Sequence, residues 1–385
     1  MKIAIFEPHP SYGGGSERVV LDVSRHLAGR GYEFFLLHDG TGTMLPVYDG
    51  FLKGRRQMEL RAFGWRTLGQ SVLRAWRVAR CWRGWGADLV FSSDINYLRF
   101  LALAGRLARL PVVLHLGIAN PLPYRSQHFA LRFFAAGIAP SAHTTEAWRI
   151  AGWPEDRLHV VPNGVDTTRF RPADNRGDLR RQLGLPEDRP IIVYVGRLVQ
   201  EKGIRTLLDA FARLRLTRRH VLLVLVGSHN HDSAGPWPDE ARRCGLPEDA
   251  VCFKGRQANP EDYLAAADLA VVPSEWNESF GLVVIEAMAC GTPPIVSDVG
   301  ILPELVGPDR PRLIFPASHA ERLAERIGWW MENTAARIAI GKILPAEAAR
   351  RHVLASMGAG YERVFLMALS PHGANPRQPK HQQLK

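Results

Sequence analysis

The sequence predicts a two-domain α/β protein in which each domain is a doubly wound parallel sheet. Three observations predict it. The chain has 385 residues, more than one ordinary hydrophobic core organises, so two domains are favoured. Apolar runs without polar alternation recur along it, as in strands covered on both faces. Between those runs, apolar residues return at helical spacing.

The first strand is Lys2-Ile3-Ala4-Ile5-Phe6, followed by a glycine-rich turn and a helix marked by Val19, Val20, Val23 and Leu27. Gly29-Arg30-Gly31 ends that helix before a second strand, Glu33 to His38. Apolar runs at Asp88 to Phe91 and Val112 to Leu116 continue the series, with a helical pattern between them. Around Val160-Val161-Pro162-Asn163-Gly164-Val165-Asp166 the pattern breaks, and Arg171 to Asp188, rich in Pro, Asp, Arg and Gly, reads as a hinge. A second series opens with Ile191 to Val195 and passes through Val221 to Val226 and Val251 to Phe253. It then reaches Leu269 to Val272 and Pro294 to Val296. A helical pattern over roughly Ala346 to Leu369 precedes a polar tail with no apolar face, expected to be disordered. The expected division is 1–170, 171–350, a C-terminal helix over 351–369 that crosses back to the first domain, and a tail at 370–385. Two such sheets joined by a hinge are expected to present their carboxyl ends across a cleft, where ligands of these folds bind.

Composition narrows the classes further. Hydrophobic residues make up 46% and charged residues 23%, enough apolar surface for packed cores. The four cysteines Cys81, Cys244, Cys252 and Cys290 show no metal or redox spacing and read as reduced thiols. No apolar stretch approaches the roughly 18 residues that span a bilayer, and no export signal is evident, so a cytoplasmic protein is expected. The net charge of +11 is uneven: residues 51–110 hold 12 basic against 3 acidic side chains. That field implies an anionic partner. Nucleic acid is disfavoured, because none of the recognised binding motifs is present.

The densest constellation runs from Pro273 to Gly291 and contains Ser274, Glu278, Gly281, Leu282, Val283 and Glu286. It follows a strand and turns helical at Gly281, so the amides of Gly281, Leu282 and Val283 point out of a helix N-terminus that suits phosphate. Carboxylates beside such a site suit sugar hydroxyls, which donate hydrogen bonds to them. Taken alone, Glu278 and Glu286 read equally as a dipole partner and a solvated residue.

This stretch resembles the signature of glycosyltransferase family 4, retaining enzymes of the GT-B fold with two Rossmann-like domains. The resemblance implies that Glu278 binds the donor sugar, Glu286 the ribose hydroxyls, and Gly281 to Val283 the diphosphate. In Gly196-Arg197-Leu198-Val199-Gln200-Glu201-Lys202-Gly203, it implies that Arg197 and Lys202 neutralise the diphosphate. Fixed cations can replace a metal by stabilising leaving-group charge, and no DxD-like ligand pair is present, so neither metal nor other cofactor is expected. The loop with Gly14 and Gly15 resembles the family's glycine loop, and Gly255-Arg256 lies where the family's backbone meets the base. His115 matches a family histidine near the reacting sugar, and a positioning and electrostatic role follows for it. The spacing of His229 and His231 hints at metal, but their loop-like surroundings argue against it.

The expected activity is transfer of a sugar from a nucleotide-diphosphate donor to a glycan or lipid-linked acceptor, as in polysaccharide biosynthesis. Alternatives are a GT-B sugar-nucleotide epimerase and a non-catalytic sugar-nucleotide binding protein. Finally, Trp65, Leu68, Val72, Trp76 and Ala79 recur on one helix face, with Arg66, Arg74, Arg77 and Arg80 on others. Tryptophan and arginine interleaved in this way suit an anionic membrane surface, which residues 55–83 are expected to touch peripherally.

Overall fold

The computed structural model describes residues 1–11, 14–64, 67–119, 125–229 and 234–370. The expected tail therefore lies almost wholly outside the described residues, as do Trp65, Arg66 and His231. The chain forms two compact units. One comprises Met1–Pro162 together with the chain from Met357 onward, the other Asn163–Ser356.

The first unit carries a seven-stranded sheet: β1 (Lys2–Phe6), β2 (Glu33–His38), β3 (Gly54–Gln57), β4 (Leu89–Ser92), β5 (Val112–His115), β6 (Ala136–Ala139) and β7 (Leu158–Val160). Its order is β3-β2-β1-β4-β5-β6-β7, with every neighbour parallel. The second unit carries β8 (Ile191–Val195), β9 (Leu222–Val226), β10 (Val251–Gly255), β11 (Leu269–Val272), β12 (Pro294–Ser297) and β13 (Ile314–Phe315) in the order β10-β9-β8-β11-β12-β13, again all parallel. In both sheets the order reverses beside the first strand, at β1/β4 and at β8/β11, and ligand crevices of doubly wound sheets open there. The central strands are buried along their length, which explains their unbroken apolar sequences.

The expected hinge over Arg171–Asp188 is corrected by the structure. It holds the helix Arg176–Gln182, whose N-cap Asn175 accepts from the amides of Gly177 and Asp178. Arg180 is buried, donating to the carbonyls of Ala266, Glu187 and Arg189 and to the Asp268 carboxylate at 2.8 Å. Asp268 also accepts from the Ile191 amide at 2.8 Å. One buried guanidinium thus ties a polar-looking segment to the amino end of the second sheet. The final helical pattern is two helices, Thr334–Arg351 and Leu354–Leu369, the first carrying Pro345 inside it. The second lends Met357, Tyr361, Val364 and Phe365 to the core of the first unit, where Phe91 meets the rings of Tyr361 and Phe365 at 5.6 and 5.1 Å.

Candidate active site

In the second unit, the loops leaving β8, β9, β10 and β11 lie side by side at the carboxyl edge of the sheet. The loop after β8 carries Arg197 and Lys202, and the loop after β11 runs from Pro273 to Gly281. Backbone bonds lock the two together: the amides of Glu275 and Trp276 both donate to the Glu201 carbonyl, at 3.0 and 3.2 Å. Gly203, at φ +71°, sits so close to the Pro273 carbonyl that a side-chain carbon there would overlap it. Only glycine permits both that conformation and that approach. The Gly227 amide donates to the Gly255 carbonyl at 2.8 Å, which joins the ends of β9 and β10.

This packing brings Lys202 into a salt bridge with Glu278. The hydroxyl of Ser274 donates to the same carboxylate oxygen, Oε1, at 2.5 Å. Glu278 is therefore fixed by two groups from two loops at the β8/β11 reversal, with its side chain 12% exposed. The neighbouring Tyr194 phenol is fully buried and donates to the Arg197 carbonyl at 2.6 Å. Burial first, and the Glu278 charge second, hold that phenol well above the usual tyrosine range, so it stays a donor. Thr206 braces the loop by donating to Glu275 at 2.5 Å.

The helix Leu282–Ala289 starts immediately beyond, with Gly281 as its N-cap at φ +82°. A side-chain carbon on Gly281 would come within 2.5 Å of Leu302. The first amides of an α-helix have no intrahelical acceptor and carry the positive end of its dipole, and here those first positions are Gly281, Leu282 and Val283, three to five residues beyond Glu278. Glu286 lies one turn into that helix, half-buried, and its charge reaches the Cys290 thiol at the far end. Arg197 and Arg256 are exposed on the same edge, after β8 and β10.

Gly14, Gly15 and His115 lie at the carboxyl edge of the first unit's sheet. Gly14 caps the helix Gly15–Ala28, and both glycines are exposed. His115 ends β5, is 1% exposed, and shares a 2.7 Å hydrogen bond through Nδ1 with the Tyr361 hydroxyl. Burial lowers its pKa to about 3. The imidazole is therefore neutral and carries no positive charge. Ser274 and Tyr361 are the supporting residues that the sequence did not single out for a role. Ser274 stood inside the dense constellation, whereas nothing local marks Tyr361, 246 residues from its partner. His229 bonds the Leu198 carbonyl through Nδ1 at 2.7 Å. Among the described residues no group of three or more His, Cys, Asp or Glu side chains converges as a metal site. A cavity of about 610 Å3 opens at the opposite, amino-terminal edge of the second sheet, lined by Arg176, Asp268, Arg337 and Lys342 among others, away from these loops.

Comparison with known proteins gives a consistent result. A family model described as "Glycosyltransferase Family 4" matches residues 13–169, and one described as "Glycosyl transferases group 1" matches residues 175–343. A D-inositol 3-phosphate glycosyltransferase of Corynebacterium jeikeium is 35% identical over 205 residues, 50% of this chain and 48% of that protein. A second, from Streptomyces bingchenggensis, is 36% identical over 241 residues, 57% of this chain and 52% of its own length. The chain thus spans about half the length of the curated relatives it matches. Among solved structures, Anabaena Alr3699/HepE in complex with UDP and glucose superposes with a TM-score of 0.82 at 25% identity, covering 95% of this chain and 99% of that one. Sucrose-phosphate synthase of Thermosynechococcus elongatus gives 0.76 at 25% identity, covering 96% of this chain and all of that one.

Proposed function

From the premise that this chain belongs to glycosyltransferase family 4, with the paired Rossmann-like units of the GT-B fold, we propose that it is a retaining transferase. It moves a sugar from a nucleoside-diphosphate donor to an acceptor hydroxyl without a metal. The observation that carries the reading is the Lys202–Glu278 pair beside the N-terminus of the helix Leu282–Ala289, at the reversal point of the second sheet. A cation and a set of free helix amides suit a diphosphate, and a fixed carboxylate one residue pair away suits sugar hydroxyls. The complexes of the Anabaena protein with UDP and with UDP-glucose support a uridine nucleotide sugar as the donor.

In this reading Lys202, Arg197 and the amides of Gly281 to Val283 hold the diphosphate, Glu278 the sugar, and Glu286 the ribose. Arg256 lies by the base. The bond from the anomeric carbon to the diphosphate oxygen breaks while the acceptor oxygen bonds that carbon on the same face. The acceptor proton passes to the departing phosphate oxygen, so no protein base is needed. The fixed cations stabilise the charge that grows on the leaving group. His115, being neutral, positions by hydrogen bonding, and Gly14 and Gly15 leave room for backbone approach.

The acceptor is proposed to be lipid-linked or part of an envelope glycan, reached by peripheral docking of the helix Leu68–Trp85 on an anionic membrane. Among the described residues no helix is long and apolar enough to cross one. The test of the transferase reading is a panel of nucleotide sugars assayed for binding and transfer. Glu278→Ala should abolish transfer while leaving nucleotide affinity, Arg197→Ala should weaken nucleotide binding itself, and EDTA should leave the rate unchanged. The reverse pattern of the two variants overturns the roles, and loss of turnover in EDTA overturns metal independence.

A further inference from the structure

The cavity at the amino-terminal edge of the second sheet belongs wholly to the second unit, and the transferase reading makes no use of it. Its volume of about 610 Å3 lies within the range of small-molecule sites. One wall is a face of the helix Thr334–Arg351, on which Thr334, Ile338, Gly341 and Pro345 recur at spacings of three and four. The other walls come from the residues just before β11 and β12, Asp268 and Pro293, and from Cys290 and Gly291, which follow the helix Leu282–Ala289. The two helices meet closely there. A side-chain carbon at Gly341 would lie 2.7 Å from the Gly291 carbonyl.

Charge gives the cavity its character. Among the described residues that line it, Arg176, Arg337 and Lys342 are cationic and Asp268 is the single acid. That carboxylate is already engaged. Its Oδ2 accepts from Arg180 and from the Ile191 amide, both at 2.8 Å, while its Oδ1 is 3.5 Å from Arg176 and 3.8 Å from Arg337. Three guanidiniums thus share one carboxylate. Burial lowers the Arg176 pKa, and the charges of Arg180 and Arg337 lower it further against the pull of Asp268, so the positive charge is under-compensated. Arg337 is 12% exposed and held in place by donation to the Trp330 carbonyl at 2.7 Å. Lys342 is exposed and makes no ion pair among the described residues. A surplus of cations beside apolar walls suits an anion with an apolar body, and guanidiniums match phosphate oxygens in pairs. We propose that this cavity is a second binding site, for a small phosphate monoester whose phosphate meets Arg176, Arg337 and Lys342 and whose apolar or ring-shaped body lies along Pro293, Ile338 and Pro345. A phosphate dianion offsets more of the surplus than a carboxylate does. Such a site stands whether or not the transferase reading holds.

The experiment is isothermal titration calorimetry of phenyl phosphate into the full-length chain at low salt, with phenol and inorganic phosphate as its two halves. Phenyl phosphate should bind at least about tenfold more tightly than either half, because the cations and the apolar walls both contribute. UDP in excess should leave that affinity unchanged, since the loops carrying Arg197 and Lys202 lie at the other edge of the sheet. Lys342→Gln, which breaks no ion pair among the described residues, should weaken binding by about threefold or more. Arg176→Gln together with Lys342→Gln should weaken it by at least about tenfold. Thermal melts establish that both variants fold, and Lys342→Gln alone carries the test if the double variant melts early. No binding of phenyl phosphate, equal binding of either half, displacement by UDP, or wild-type affinity in the folded variants overturns the site.

Discussion

A carboxyl group sealed at the end of a parallel strand is biased toward its protonated form, and Glu7 is in that position: burial first, then the charges of Glu17 and Asp94, raise its pKa well above the usual range. Its pKa in the folded chain lies above its unfolded value, so its contribution to stability is greatest below the unfolded pKa. That contribution is lost as pH rises toward the folded one. Glu7→Gln keeps shape and hydrogen bonding without the titration. It should therefore stabilise the chain at pH 7 by about 1–3 kcal/mol, the scale of an unsatisfied buried group, with the gain vanishing toward pH 4. Thermal melts of both proteins across pH check this, and a gain over the wild type no larger at pH 7 than at pH 4 refutes it. His115 acts with the opposite sign. Its folded pKa of about 3 lies below the ordinary histidine value, so the stability it contributes is present above pH 6.5 and falls away as pH drops. At this scale the sequence was legible where chemistry is dense in a few consecutive residues, as at Ser274 to Gly281. It was silent where a partner comes from far away, as Tyr361 does for His115, because no local pattern encodes a contact across 246 positions.

The helix Leu68–Trp85 shows how far periodicity carries at the level of an element. The expected single face of Leu68, Val72, Trp76 and Ala79 divides in two. Ser71, Ala75, Val78, Ala79 and Trp82 are buried, whereas Leu68, Val72, Leu73 and Trp76 are between 41% and 46% exposed. Of the expected face only Ala79 packs inward, beside Val78 and Trp82, while Leu68, Val72 and Trp76 remain outside with Arg80 stacked over Trp76 at 4.8 Å. An aromatic ring, three aliphatic side chains and arginines on one outer face match the depth and charge of an anionic lipid interface. Flotation with vesicles containing phosphatidylglycerol should carry the wild-type chain upward at low salt and lose it near 0.5 M, since the Debye length contracts to a few ångströms. Trp76→Ala with Leu73→Ala should reduce flotation by about tenfold, because two exposed apolar side chains carry more than 1 kcal/mol of burial. No flotation at low salt ends the docking proposal. Other elements were invisible for physical reasons. β3 reads Gly-Arg-Arg-Gln because it is an exposed edge, and β6 reads Ala-Gly-Ile-Ala because tightly packed neighbours leave little room. Neither offers the apolar run that revealed the central strands.

For the whole molecule, the consequential feature is that one unit is built from two distant stretches of chain. The chain leaves the first unit at Pro162, forms the second, and returns at Met357 inside the helix Leu354–Leu369. The expectation of a C-terminal helix came from its apolar spacing alone. The same expectation had it crossing back to the first domain, and the contacts themselves are visible only in space: Glu362 accepts from the Tyr32 hydroxyl at 2.6 Å and pairs with Arg30 at 3.1 Å. Four of its side chains complete the first core, each worth about 1.5–3 kcal/mol of burial. Their sum is comparable to the total stability of an ordinary domain. A chain ending at Ser356 should therefore fail to hold its first unit while keeping the second, whose bridge between Val165 and Val353 remains intact. Limited proteolysis of that truncated chain should leave a protected fragment spanning roughly 163–356 and digest residues 1–162. The full-length chain should protect both. Survival of the 1–162 fragment in the truncated protein would mean that the first core closes without its returning helix. The hydrogen bond from Tyr361 to His115 would then be a local contact of the site, and the helix would have no structural duty to the fold.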